Sequence, residues 1–253
     1  MRLNCLRKRF DLQDEDEFSM RLTAIDIASM IDLSCVRTNS TKADIEEMVA
    51  ATGKYGFRHV SVLQCFLPYT KQLLGNSPGV LMVGNVSFPS GSDSTSVKVA
   101  QAKELCASGC DEIDMVMNIG KLCSGEVNEV ENDVRTVIET VHPLPVKVII
   151  EVMYLTIEET VQACGICLRT GAAFIKTGTG WADRGTTVQD VQLVKSLVGD
   201  HISIKASGGV RSLDMLLKMY EAGARRFGVN LKSGIQIVEE CLTLGSPLDV
   251  EPV

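Results

Sequence analysis

Three lysines stand in runs that otherwise read as buried strands. Lys147 lies in the apolar stretch 145–150, Lys176 ends the stretch 173–176, and Lys205 lies in 202–206. An ammonium in such a place loses hydration unless a partner or a function compensates. Positions 147, 176 and 205 are separated by two equal steps of 29 residues, and Asp114, in the apolar run 112–117, precedes the first by 33. A free lysine has a pKa near 10.4, so at pH 7 only about one molecule in 2,500 carries the neutral, nucleophilic amine. Bringing that pKa to about 7 requires ~4.6 kcal/mol. A second ammonium ~5 Å away, at an effective dielectric of ~20, supplies about 3 kcal/mol, and burial can supply the rest. Paired buried lysines are therefore suited to making a Schiff-base nucleophile, with Asp114 available for proton transfer. The competing reading is an internal salt-bridge network in which Asp114 and Glu151 neutralise the lysines. Three lysines against few evident carboxylates leave excess positive charge, which favours a reactive site.

The elements that must position these groups follow a strict alternation. Strands are predicted at 31–34, 59–63, 80–86, 112–117, 146–152, 173–176, 202–206 and 225–229. Helices are predicted between and after them at 41–54, 69–74, 95–107, 126–141, 156–169, 187–198, 212–221 and 233–243, several with Ser/Thr starts and Gly stops. Eight strand–helix units in 253 residues predict an α/β protein that is one (β/α)8 barrel, a TIM barrel, spanning the whole chain. An additional N-terminal helix is predicted over 14–30, and residues 245–253 read as a tail. An open doubly wound sheet is the alternative, disfavoured by the absence of a G-x-G-x-x-G after the first strand. In a barrel, functional groups gather at the C-terminal strand ends. Asp114, Lys147, Lys176 and Lys205 fall on four consecutive strands and can share one pocket.

The same end carries glycines: Gly178 and Gly180 after the sixth strand, Gly208 and Gly209 after the seventh, Gly228 in the eighth. Glycines let backbone N–H groups approach a phosphate, and barrel phosphate sites are often built from these loops. Alone they could be tight turns; next to three lysines they read as an anion seat. The global charge does not supply such a seat, since the net charge is −7 and the pI about 5.1. That balance also argues against nucleic-acid or anionic-membrane partners. No apolar run approaches membrane-spanning length, and acidic residues 11–17 follow basic residues 1–9 where a signal peptide would be apolar. A cytosolic protein is expected. Nine cysteines, an odd number, then read as reduced thiols, with Cys164 and Cys167 inside one helical pattern and Cys106 and Cys110 flanking the end of another, all as packing residues. His59, His142 and His201 are scattered and suggest no metal centre.

Four motifs, 112–120, 146–151, 174–177 and 205–211, taken in order and spacing, resemble deoxyribose-phosphate aldolases of the Schiff-base class over nearly the whole chain. The resemblance implies a cofactor-independent, metal-free aldolase. Lys176 would form the imine, Lys205 would depress its pKa, Asp114 would relay protons through water, and Lys147 would join the network. Asp32 and Ser34 resemble the Asp-x-Thr of the family's first strand, near the substrate hydroxyls. Thr177, Gly178, Gly180, Gly208, Gly209, Arg211, Gly228 and Asn230 would bind the phosphosugar. The reaction implied is reversible cleavage of 2-deoxy-D-ribose 5-phosphate to acetaldehyde and D-glyceraldehyde 3-phosphate, in a possible homodimer. Two motifs depart from the family. Thr-Ser-Thr-Gly is here 177–180, Thr-Gly-Thr-Gly, and the phosphate-binding serine after the eighth strand is replaced in the segment 228–233, Gly-Val-Asn-Leu-Lys-Ser. An aldolase for a different or unphosphorylated sugar, and a non-catalytic phosphosugar-binding barrel, are the alternatives these departures leave open.

Overall fold

The computed structural model describes residues 20–75, 77–245 and 247–250. It begins with β1 (Met20–Leu22) and α1 (Ala24–Ser29), then β2 (Ile31–Cys35), α2 (Lys42–Tyr55), β3 (His59–Val62) and α3 (Leu67–Leu74). The alternation continues through β4 (Leu81–Val86), α4 (Thr95–Ala107), β5 (Glu112–Val116), α5 (Ile119–Cys123) and α6 (Val127–Val141). Next come β6 (Val146–Ile149), α7 (Ile157–Thr170), β7 (Phe174–Lys176) and α8 (Val188–Val198). β8 (Ser203–Ser207), α9 (Leu213–Glu221), β9 (Ala224–Asn230), α10 (Leu231–Leu244) and β10 (Leu248–Val250) complete the order. Strands β2 to β9 pair in parallel and close into a barrel in chain order. This is the (β/α)8 architecture read from the alternation.

Local chemistry sets several of the helix starts. Thr41 with Asp44, Thr156 with Glu159 and Thr187 with Asp190 form reciprocal capping boxes at the starts of α2, α7 and α8. Gly56 and Gly171 end α2 and α7 in the left-handed conformation that a side chain would strain. A parallel strand covered by helices on one face and barrel contents on the other is buried on both, so its residues are nearly all apolar. The charged residues among them face one another.

The N-terminal helix differs from expectation. Residues 14–19 of the predicted 14–30 lie outside the described residues, and 20–22 form β1. This strand pairs antiparallel with β10, inside the predicted tail. Thr23 and Asp26 make a capping box that fixes the helix start at Ala24, so the residues before it are free to extend. The strand predicted over 146–152 ends at Ile149, because Glu151 adopts φ 44° and a single 3-10 turn follows at Val152–Tyr154. Helix α5 was not anticipated. It starts where the Asn118 side chain accepts the Lys121 N–H at 3.1 Å.

Candidate active site

Register brings the four predicted charges into one interior. Asp114 on β5 pairs with Lys147 on β6, Lys176 on β7 pairs with Lys205 on β8, and Lys205 pairs in turn with Arg226 on β9. Lys147 pairs with Phe174, so Lys176 lies one inward layer nearer the C-terminal mouth. Asp114 is the hub. Its Oδ2 accepts from Lys176 Nζ at 2.7 Å and Lys205 Nζ at 2.8 Å, and its Oδ1 accepts from Lys147 Nζ at 3.1 Å. Lys205 also donates to Asp32 Oδ2.

The compensating charge is larger than the sequence reading allowed. Glu112, two residues before Asp114 and therefore on the same strand face, takes Lys147 Nζ at 2.5 Å. Arg226 bridges Asp32 Oδ1 at 2.5 Å and Glu112 Oε2 at 2.9 Å. Glu151, the expected counterion, is turned away and accepts the Thr179 N–H at 3.0 Å. His59 sits beneath, 3.7 Å from Asp32 and 3.9 Å from Glu112. It is a buried residue of the floor.

These contacts differentiate the lysines. Lys147 has Asp32, Glu112 and Asp114 within 3.9 Å. Burial alone would lower its pKa, but the three carboxylates outweigh burial and raise it. Among the described residues, Lys176 has Asp114 alone within ion-pair distance, and that carboxylate is shared with Lys147 and Lys205. Burial, assisted by the Lys205 cation and opposed by Asp114, lowers Lys176 to about 8. Asp114 is held well below the usual carboxylate range, since the three lysines overcome the effect of burial. Asp32 is lowered in the same way by Lys205, Lys147 and Arg226 against its own burial. His59 is pushed down to about 4, chiefly by burial, and is neutral at pH 7. The cluster then holds four cations and three carboxylates. Removing one proton from Lys176 balances it.

Lys176 is also the lysine that reaches the mouth. It is 6% exposed, against 0% for Lys147 and 1% for Lys205. The Phe88 ring stands 5.9 Å from its Nζ, and Trp181 packs edge-on against Phe88 at 6.5 Å. Phe88 lies two residues past the end of β4 and has no titratable group, so charge-based reading passed over it. Glu112 and Arg226 were missed because a charge near a strand start reads as a strand boundary.

The predicted substrate residues divide. Ser34, Gly180, Gly208, Gly209, Arg211, Gly228 and Asn230 line one cavity of about 120 Å³ at the C-terminal end of the barrel, with Arg37 and Trp181. Gly208 and Gly209 turn the chain there at φ 86° and 93°, values open to glycine. Thr177 and Gly178 do not line it. Thr177 is fully buried, and its hydroxyl is paired with Thr186 Oγ1 at 2.7 Å while accepting the Ser207 N–H at 3.0 Å. A Cβ on Gly178 would come within 2.6 Å of Met153 Cε and 2.8 Å of Glu151 Oε1, so this glycine serves packing. Asp32 is 1% exposed and is a counterion within the cluster rather than a surface of the cavity. Asn230 caps α10, accepting the Ser233 N–H at 3.0 Å. Cys164 and Cys167 are buried free thiols on α7, and burial pushes Cys164 up to about 12.

A lysine amine beside a carboxylate, at the C-terminal end of a (β/α)8 barrel, is the equipment of an imine-forming enzyme. Comparison with known proteins narrows the class. The family described as DeoC/LacD family aldolase matches residues 27–235. The deoxyribose-phosphate aldolase of Sinorhizobium medicae is 40% identical over 226 residues, covering 89% of this chain and 91% of that protein. The enzyme of the same name from Carboxydothermus hydrogenoformans is 41% identical over 217 residues, covering 84% and 94%. Among solved structures, the aldolase QR15 superposes with a TM-score of 0.81 at 36% identity, covering 87% of this chain and 97% of that one. The deoxyribose phosphate aldolase of Aeropyrum pernix, a tetramer, gives 0.80 at 26% identity, covering 88% and 93%. The chain belongs to the DeoC/LacD family of aldolases. It is a carbon–carbon lyase.

Proposed function

We propose that the protein reversibly cleaves 2-deoxy-D-ribose 5-phosphate to acetaldehyde and D-glyceraldehyde 3-phosphate through an imine on Lys176. One observation carries the assignment: of the three lysines that share Asp114, Lys176 has the fewest counterions and is the most exposed. Its neutral amine attacks C1 of the open-chain sugar, and the carbinolamine takes up a proton from solvent and loses water to give a protonated imine. Asp114, through a water, takes the proton of the C3 hydroxyl. The C2–C3 bond breaks, its electron pair flows into the imine to form an enamine, and D-glyceraldehyde 3-phosphate leaves. The proton returns from Asp114 to C2, water hydrolyses the protonated imine with release of one proton to solvent, and acetaldehyde departs with the Lys176 amine restored. Lys147 and Lys205 keep Asp114 ionised between turnovers, so that it is unprotonated when the C3 hydroxyl must lose its proton.

The phosphate would enter the cavity formed by Gly208, Gly209, Arg211 and the start of α10, where the arginine charge and a helix dipole favour an anion. The Asn230 side chain is already occupied by the Ser233 N–H, so backbone groups would do most of the binding. Loss of one serine contact to a charged group removes ~1.5–3 kcal/mol, which weakens phosphate preference without abolishing it.

The test is incubation with the sugar phosphate or acetaldehyde, followed by borohydride and peptide mass analysis. The reduced adduct should lie on the peptide containing Lys176; an adduct on Lys147 or Lys205 instead would overturn the assignment. In parallel, kcat/KM should favour deoxyribose 5-phosphate over free deoxyribose, and more strongly in Asn230→Ser. Equal values for both sugars in both proteins would reject the phosphate seat.

A further inference from the structure

We infer that Arg226 and Glu112 are positioning residues that set the charge of the lysine cluster, Arg226 driving Lys176 toward the free amine and Glu112 opposing it. The inference rests on the reading of Lys176 as the imine-forming residue. Neither residue lines the cavity at the C-terminal end. Together they form a tier beneath the lysines: Arg226 Nε on Asp32, Arg226 Nη2 on Glu112 Oε2, and the same oxygen on Lys147 Nζ.

The groups around Lys176 can be taken strand by strand. β5 supplies Asp114 and Glu112, β6 supplies Lys147, β8 supplies Lys205, β2 supplies Asp32, β9 supplies Arg226, and β3 supplies His59. Glu151, after β6, is committed to the Thr179 N–H. With His59 neutral, three carboxylates face Lys147, Lys205 and Arg226. Each of those cations lies against at least two of the carboxylates. The set is saturated before Lys176 is counted, so a proton on Lys176 is the surplus charge. Arginine keeps its charge at any working pH, which makes Arg226 the one member of the balancing set that cannot respond by losing a proton. Without it, Asp32 and Glu112 would each be freed to hold the surplus proton on the lysines.

The contacts Arg226–Asp32–Lys205–Asp114–Lys176 span on the order of 10 Å, at which one charge in an effective dielectric of about 20 moves a pKa by roughly one unit. Three variants separate charge from shape. In Arg226→Met the cation is lost, in Arg226→Lys it is kept without the guanidinium fork, and in Glu112→Gln a carboxylate is lost with little change of shape. The readout is the rate at which acetaldehyde and cyanoborohydride label the Lys176 peptide, measured against pH.

Arg226→Met should move the midpoint up by about one unit, lowering the labelling rate at pH 7 by about tenfold and leaving the rate at high pH unchanged. Arg226→Lys should keep the wild-type midpoint. Glu112→Gln should move it down by about one unit and raise the rate at pH 7 severalfold. Glu112→Gln decides the matter by its sign even where Arg226→Met fails to fold. An unmoved midpoint in Glu112→Gln, or equal displacement in both arginine variants, overturns the inference. Failure of the underlying reading looks different: no label at Lys176 in the wild-type protein.

Discussion

Replacing Lys205 by methionine removes the cation nearest to Lys176 while keeping a side chain of similar length. Both ammonium groups bond the same oxygen of Asp114, at 2.7 and 2.8 Å, which places them about 5 Å apart, and at an effective dielectric of ~20 the repulsion is about 3 kcal/mol, or roughly two pH units. The effect has a second contribution of the same sign. Asp114 Oδ2 and Asp32 Oδ2 both lose a donor, and the freed negative charge holds the proton on Lys176 more tightly. Lys176 should therefore rise from about 8 toward the range of a free lysine. At pH 7.5 the neutral fraction falls from about a quarter to below one percent, a loss of roughly a hundredfold in the imine-forming species. The assay is kcat/KM for deoxyribose 5-phosphate from pH 6.5 to 10.5 in Lys205→Met and Lys176→Met. Activity in Lys205→Met should climb as pH approaches 10, where Lys176 deprotonates unaided, while Lys176→Met stays flat. Flat profiles in both variants would refute the electrostatic role and require Lys205 to contact the reacting atoms.

Two predictions concern stability. Lys98 is fully buried between α4 and α6, bonded to Asp133 at 2.6 Å and to the Val116 carbonyl at 3.1 Å. Lys98→Met should cost about 3–5 kcal/mol in urea unfolding by leaving Asp133 unpaired, and the double variant with Asp133→Asn should recover much of it. His59 has a folded pKa of about 4 against 6.5 unfolded. A depressed folded pKa gives stability that is fully present above 6.5 and lost as pH falls toward 4. Lowering pH from 7 to 5 should therefore cost about 2 kcal/mol through this residue, seen as a drop in urea midpoint that His59→Gln lacks.

The alternation of elements was readable because a parallel barrel imposes it on composition: each strand is an apolar run, several helices begin at a capping threonine, and α4 was located to the residue. The catalytic lysines were readable for the opposite reason, as charges that violate the apolar pattern. What eluded sequence reading was pairing. Glu112 and Arg226 stand near strand starts, where charge is unremarked, and their relevance depends on which residues lie across the barrel. Glu151 erred the other way. It follows an apolar strand and reads as a counterion, yet φ 44° at that residue sends its carboxylate to the Thr179 N–H instead. Backbone reversal at one residue is set by the loop it must join, and nothing in the residue type announces it. The β1–β10 pair was hidden because three-residue strands contacting across the whole chain leave almost no local signal.

The two departures from the family's motifs acquire a physical meaning from these contacts. Gly178 stands where the family carries serine, and Met153 and Glu151 occupy the space that a side chain there would need. The glycine and the turned carboxylate are thus one adjustment: Glu151 folds over the loop, takes the Thr179 N–H, and leaves no room for a Cβ. With Glu151 committed to the Thr179 N–H, the lysine cluster keeps three carboxylates; a fourth would cancel the surplus positive charge that favours the Lys176 amine. At the other departure, Asn230 exchanges a hydroxyl for a helix cap at the cavity wall. Neither change touches Asp114, Lys176 or Lys205. Substitution in the loops can therefore alter how the far end of the sugar is held while the charge balance that makes the nucleophile is kept, or sharpened, on the strands.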